Sequence, residues 1–163
     1  SDVALYRAKE SGRNAFRFYD PSMDHHLEEK RAKELAVRNA LAAHPVETLR
    51  PGDAILLNDP LLGSGHLPDF FITQPAFHDG ALVGFAVNIL HHTDVGGQRP
   101  GSQGVEGIFD YFQEGLRIPP MKLYSGGQVN ESVLALVLAN VRQPEVLMVD
   151  LQAEIAADRK SVV

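Results

Sequence analysis

Two apolar runs, Phe70-Phe71-Ile72-Thr73 and Ala81 to Leu90, are separated by His78-Asp79-Gly80, and this arrangement limits what the chain can fold into. An Asp-Gly pair supplies the positive φ angles of a tight reversal, so the runs read as strands joined by a hairpin. Upstream, the turn Leu49-Arg50-Pro51-Gly52-Asp53 leads into Ala54-Ile55-Leu56-Leu57, a continuous apolar run of the kind found in buried strands. Asn58-Asp59-Pro60 ends it, and Gly63-Ser64-Gly65 and His66-Leu67-Pro68-Asp69 follow. The last strand ends on His91-His92. Imidazoles and carboxylates therefore gather at strand ends, where rigid scaffolding can hold a site.

Texture divides the chain. Only Gly12 of the fourteen glycines and Pro21 of the ten prolines precede residue 44. Residues 1–43 carry a charge balance of +1 and residues 44–163 one of −7. The first part is written for helix and the second is punctuated by turns, which places a domain boundary near Ala43-His44-Pro45. Before it, Asp2 to Glu10 reads as a helix, residues 15–19 as a short strand, and about Met23 to Ala42 as a solvated connecting helix with one apolar edge. At the other end, Ser132 to Asn140 reads as a helix interrupted near Pro144, and Asp150 to Ala157 as a second. The expected class is α+β: a mixed sheet with two C-terminal helices, preceded by a helix–strand–helix appendage.

Composition narrows the function. The chain of 163 residues is 44% hydrophobic and 22% charged, a globular balance. No run approaches the roughly 20 apolar residues of a membrane span, and the first residues lack the pattern of a signal peptide. Without cysteine there is no disulfide, thiolate ligand or thiol nucleophile. A net charge of −6 argues against a general nucleic-acid surface. A cytoplasmic protein with no membrane or nucleic-acid partner is expected.

Imidazole nitrogen with carboxylate oxygen is a usual ligand set for a catalytic divalent metal. His66 and Asp69 are three residues apart across a proline, and His91 or His92 would supply a third ligand. Only one of that pair should join the site, because neighbouring side chains on a strand point to opposite faces. The other would hydrogen-bond, move protons or pack. A lone His-x-x-Asp is a weak signal that a surface histidine also explains. Asn58-Asp59-Pro60, the paired histidines and Asp94-Val95-Gly96-Gly97 strengthen it, and on the residues alone both readings stay open.

Two resemblances add to this reading. Asp2, Ala4-Leu5-Tyr6, Ala8-Lys9 and Gly12-Arg13-Asn14, with the strand and the Asp20-Pro21 turn, resemble the closing portion of a GGDEF (diguanylate cyclase) domain, and the helix after them its linker. In that family the residues matching Lys9 and Arg13 reach the phosphates of GTP. The metal- and base-binding loop and most of the sheet are missing here, so both read as surface cations and cyclase activity is not expected.

From about Leu49 to Ala157 the chain resembles the hydantoinase B/5-oxoprolinase family, which includes subunits of acetone and acetophenone carboxylases. The strings that carry it are RPGD at 50–53, LNDP at 57–60, GHLPDF at 65–70, FHDGALVGF at 77–85, HHTDVGGQRPGS at 91–102, YFQEGLRIPPMKLY at 111–124 and NESVLALVLANVRQPE at 130–145. The resemblance implies a metal site of His66, Asp69 and His91, with the metal (manganese, zinc or iron not distinguished) polarising the substrate oxygen. It also casts Asp59 and Asp94 as carboxylates that orient the histidines, His92 in proton transfer, and Glu114 and Arg117 in substrate binding or a structural ion pair. ATP would enter only through a hydantoinase A-like partner subunit, since no phosphate-binding Gly-Lys-Ser/Thr loop is present. The implied substrate is a small cyclic amide, of the hydantoin or 5-oxoproline class. A ketone carboxylase subunit is the alternative enzyme, and a GGDEF-protein remnant that dimerises through helix 23–42 the non-enzyme reading. Family members are several times longer, so residues 44–163 would be a partial domain.

Overall fold

The computed structural model describes residues 21–63, 65–102 and 106–160. The GGDEF-like stretch at 2–20, with Lys9 and Arg13, lies outside them. A helix, α1 (Pro21–Ala43), precedes β1 (Ala54–Leu57), β2 (Asp69–His78) and β3 (Ala81–His91). After them come a one-turn helix α2 (Tyr111–Glu114), β4 (Met121–Ser125), β5 (Gln128–Val129) and the helices α3 (Glu131–Ala139) and α4 (Pro144–Lys160). The five strands form one sheet in the order β3-β2-β1-β4-β5.

The α+β class and the C-terminal helices are as expected, but the sheet is antiparallel at every pairing rather than mixed. The reason lies in the connections. Parallel neighbours need a crossover, usually helical, whereas Asp79-Gly80 joins β2 to β3 in two residues with both φ angles positive (48° and 79°). A long return from β3 brings β4 down beside β1, so the C-terminal ends of β1 and β3 and the N-terminal ends of β2 and β4 share one edge of the sheet.

Both faces of the sheet are covered, which explains why its strands are apolar without alternation. Ala54, Leu56, Phe70 and Ile72 turn toward α3 and α4, where Val133, Val137, Leu147, Leu151 and Ile155 complete the larger core. Leu147, Leu151 and Ile155 recur every fourth residue and so form one stripe of α4. Pro144, read from the sequence as an interruption, is the first residue of α4, a position where its missing N–H costs nothing. Asn130 caps α3 by accepting from Val133 N.

The opposite face is covered by α1. Ala32 and Ala36 pack on Leu57, Phe71, Val87 and Ile89, and Ala40 on Leu49, Ile55, Phe77 and Phe85. This stripe of three alanines, one every fourth residue, lets the helix backbone lie close to the sheet, and Ala40 is fully buried. The helix expected to be a solvated linker therefore covers one side of the core. The chain leaves it at His44-Pro45, where proline prevents continuation.

Candidate functional site

The shared edge of the sheet collects most of the residues singled out in the sequence. Asp69 opens β2 and stands directly opposite His91, the last residue of β3. His66 precedes Asp69 in a tight turn closed by Asp69 N donating to the His66 carbonyl. Gly65, with φ of 92°, lets the backbone enter that turn. Asn58, wholly buried at the end of β1, fixes the surroundings: its amide donates to Leu67 O (2.7 Å) and Leu116 O (2.9 Å), and its oxygen accepts from Ile118 N (2.6 Å). One side chain thus ties β1 to the His66 turn and to the loop before β4. In the sequence, Asn58 stood out as a strand terminator and as part of the Asn58-Asp59-Pro60 string that strengthened the metal-site reading.

The Asp69 carboxylate lies between two imidazoles. Its Oδ1 is 2.9 Å from His91 Nδ1 and its Oδ2 is 3.4 Å from His66 Nε2. The two rings stand 5.0 Å apart by centroid. Each of His66, Asp69 and His91 offers one donor atom, and these atoms all lie within 4.8 Å of one another. The three side chains are partly open to solvent, as a site that takes substrate must be. Two nitrogens and one oxygen on a rigid strand edge suit a divalent ion with open positions. The expected metal ligands converge, and the residues present fit such an ion.

Of the remaining expected site residues, Glu114 touches this trio. Glu114, expected to meet substrate, has Oε1 at 3.3 Å from His66 Nδ1, while its Oε2 accepts from Leu67 N at 3.3 Å. Arg117 donates to the Tyr111 hydroxyl (3.1 Å), lies over the Tyr111 and Phe112 rings at 5.4 and 5.6 Å, and has Nε 3.7 Å from Asp59 Oδ2. This cation on an aromatic platform is anchored on three sides.

Asp59 and Asp94, expected to orient the histidines, are turned to other partners. Asp59 caps the short 3-10 turn Pro60–Leu62 by accepting from Leu61 N. Asp94 accepts from Gly96 N, Gly101 N, and both the backbone and the guanidinium of Arg142. Burial by itself would raise the Asp94 carboxyl, but the bonds from Gly96, Gly101 and Arg142 outweigh it and hold the group below the usual carboxylate range. Arg142, unremarked in the sequence, also reaches the carbonyls of Gly96, Gly97 and Arg99, so it clamps the whole 94–99 loop.

His92, expected in proton transfer, faces the other side of the sheet. It is fully buried, its ring centroid is 4.3 Å from that of Phe70, and its Nε2 is 3.5 Å from Glu154 Oε2 on α4. The alternation along β3 thus sends His91 to the site and His92 into the core, and Glu154 is its interior partner. Glu154 was legible in principle, because it falls three residues after Leu151 on the apolar face of α4.

Comparison with known proteins agrees with this architecture. Residues 21–162 match the family model described as hydantoinase B/oxoprolinase, a span that includes α1. The caprolactamase subunit beta of Pseudomonas jessenii is 37% identical over 111 residues, which is 68% of this chain and 19% of that protein. The crystal structure of the ATP-dependent caprolactamase from that organism superposes with a TM-score of 0.72 at 34% identity, covering 78% of this chain and 22% of that one. Nucleotide-free acetone carboxylase superposes with a TM-score of 0.70 at 26% identity, covering 82% and 17%. The chain thus spans about a fifth of the length of the relatives it matches. With the sheet, its covering helices and the His66–Asp69–His91 edge all inside the matched span, the chain belongs to the hydantoinase B/oxoprolinase family.

Proposed function

We propose that this chain is the metal-holding portion of an ATP-dependent hydrolase that opens small cyclic amides, of the hydantoin or 5-oxoproline class. The observation that carries the reading is the convergence of His66, Asp69 and His91 from two strand ends and one turn. A divalent ion held by them would supply Lewis acidity toward the amide oxygen. The chain's own part is positional. Asp69 holds His91 across the β2–β3 ladder, Asn58 fixes the turn that carries His66, and Arg117, held on the Tyr111 and Phe112 rings, is the cation offered to polar or anionic parts of substrate. ATP chemistry belongs to a hydantoinase A-like partner subunit, and the assembly is cytoplasmic. The fold it shares with acetone carboxylase favours one alternative, a subunit of an ATP-dependent ketone carboxylase. Assays with the partner and ATP on hydantoin, 5-oxoproline or caprolactam, against acetone with bicarbonate, separate the two.

The direct test is thermal unfolding of the chain with Mn²⁺, Zn²⁺, Fe²⁺ or a chelator, in the wild type and in His66→Ala and His91→Ala. An ion that binds the folded state alone stabilises it by about 2.7 kcal/mol at a hundredfold excess over its dissociation constant. A metal-dependent shift present in the wild type and lost in both variants supports the reading. A cooperative melt indifferent to every metal overturns it.

A further inference from the structure

We propose that Glu114 is a positioning residue that accepts a hydrogen bond from the Nδ1–H of His66 and so keeps the proton there and presents the Nε2 lone pair to the space shared with Asp69 and His91. The inference rests on the metal reading for its consequence; its geometry is the approach of two carboxylates to the His66 ring. A neutral imidazole carries one N–H, and carboxylates only accept. Both nitrogens of His66 face carboxylates: Nδ1 is 3.3 Å from Glu114 Oε1 and Nε2 is 3.4 Å from Asp69 Oδ2. Those two carboxylates are not equivalent. Asp69 also faces His91 Nδ1 at 2.9 Å and lies among the donors a cation would use. Glu114 stands behind the ring, where its second oxygen accepts from the backbone of the next residue, Leu67. A proton on Nδ1 therefore satisfies Glu114 and leaves Nε2 free toward the other two donors.

The placement of Glu114 is built into the backbone around it. Asp110 and Gln113 form a capping box that sets the one-turn helix α2. Gln98 N donates to the Gln113 carbonyl at 2.7 Å and Leu116 N to the Val95 carbonyl at 2.8 Å, which pins residues 113–116 against the 95–98 loop. Gly97 has no side chain where a Cβ would run into the Glu114 carbonyl. These contacts hold Glu114 at a fixed distance from the His66 turn. A carboxylate that fixes the tautomer and angle of a ligating imidazole is worth about 10–100-fold in metal affinity.

The test reads the tautomer directly. Long-range proton–nitrogen NMR on histidine-labelled chain at about pH 8, where imidazole is ordinarily neutral, is expected to show His66 with its proton on Nδ1. In Glu114→Gln one oxygen must serve both Leu67 N–H and His66 Nδ1–H, so the proton moves to Nε2 in part or in full. The Mn²⁺ dissociation constant, measured by calorimetry on the same samples, is expected to rise about tenfold or more. A wild-type His66 protonated on Nε2 overturns the inference, whether or not the variant folds. So does a folded Glu114→Gln whose tautomer and Mn²⁺ affinity match the wild type. Wild-type chain that binds no Mn²⁺ while showing the Nδ1–H form overturns the metal reading instead and leaves the role of Glu114 standing.

Discussion

Replacing Asp94 by asparagine asks whether this carboxylate serves the loop or the chemistry. Its oxygens accept from Gly96 N at 2.9 Å, Gly101 N at 2.8 Å, Arg142 N at 3.2 Å and Arg142 Nη1 at 2.9 Å. Asparagine keeps one acceptor and turns an amide toward the donors of Gly101 and Arg142. A hydrogen bond to a charged group contributes roughly 1.5–3 kcal/mol net. The Arg142 side chain is 40% exposed, so water screens its share. Together these give an expected loss of about 3 kcal/mol. For a chain of this size about 1 kcal/mol moves Tm by roughly 2–4 °C, so the melt should fall by about 6–12 °C. The loss has a pH signature. Because the folded carboxyl is held below its usual range, its stabilisation is complete above the unfolded value of about 3.9. It disappears as pH falls through the folded value. The variant lacks this contribution, so the gap between the proteins is widest at neutral pH and closes below about pH 4. Thermal melts across that range are the assay. A gap that stays constant into acid, or a variant with an unchanged melt that has lost metal binding, refutes the reasoning.

Asp53 repeats the argument at the far end of the sheet. Burial there would raise its carboxyl, but Lys122, Gly126 N and Arg50 N lower it on balance. Asp53→Asn should therefore cost about 3 kcal/mol at neutral pH and progressively less in acid, as read by urea unfolding at both extremes. Gly97→Ala should destabilise by more than about 1 kcal/mol, since φ is 79° and a Cβ meets the Gln113 and Glu114 carbonyls. Because those carbonyls belong to the helix that carries Glu114, calorimetry should find Mn²⁺ affinity weakened in the same variant. Ala40→Leu overpacks the contact between α1 and the sheet and should cost about 1–3 kcal/mol. A denaturation midpoint equal to wild type would mean that α1 is not part of the core.

Much of the sheet was legible because its signals are local. An Asp-Gly reversal between apolar runs specifies β2 and β3 with no knowledge of the rest, and the ends of those strands deliver Asp69 and His91. The strand pattern alone left open which of the two histidines faces the site, since a shift of one residue in register exchanges the faces; the family resemblance was what singled out His91. The role of α1 was hidden for a different reason. Its sheet-facing stripe is Ala32, Ala36 and Ala40, and alanines between charged neighbours read as solvated helix until a sheet is known to lie against them. Asp59, Asp94 and Glu114 look alike in sequence, as acids within the strings that carry the family resemblance. Only the long return from β3 to β4 decides that Glu114 reaches His66 while the other two cap a turn and a loop.

The edge where these chain segments meet also sets an order in time. Asp69 and His91 are 22 residues apart and join through the two-residue turn of one hairpin, a unit that closes in roughly 1–10 μs. Glu114 meets the His66 turn across 47 residues, held there by the pairing of the 95–98 and 113–116 segments. Loop closure grows more costly with separation, so the carboxylate and imidazole of the hairpin stand ready before the group that steadies His66. A refolding chain should therefore acquire weak, exchangeable affinity for a cation early and tight affinity late, which makes metal capture a clock for the last step of its assembly.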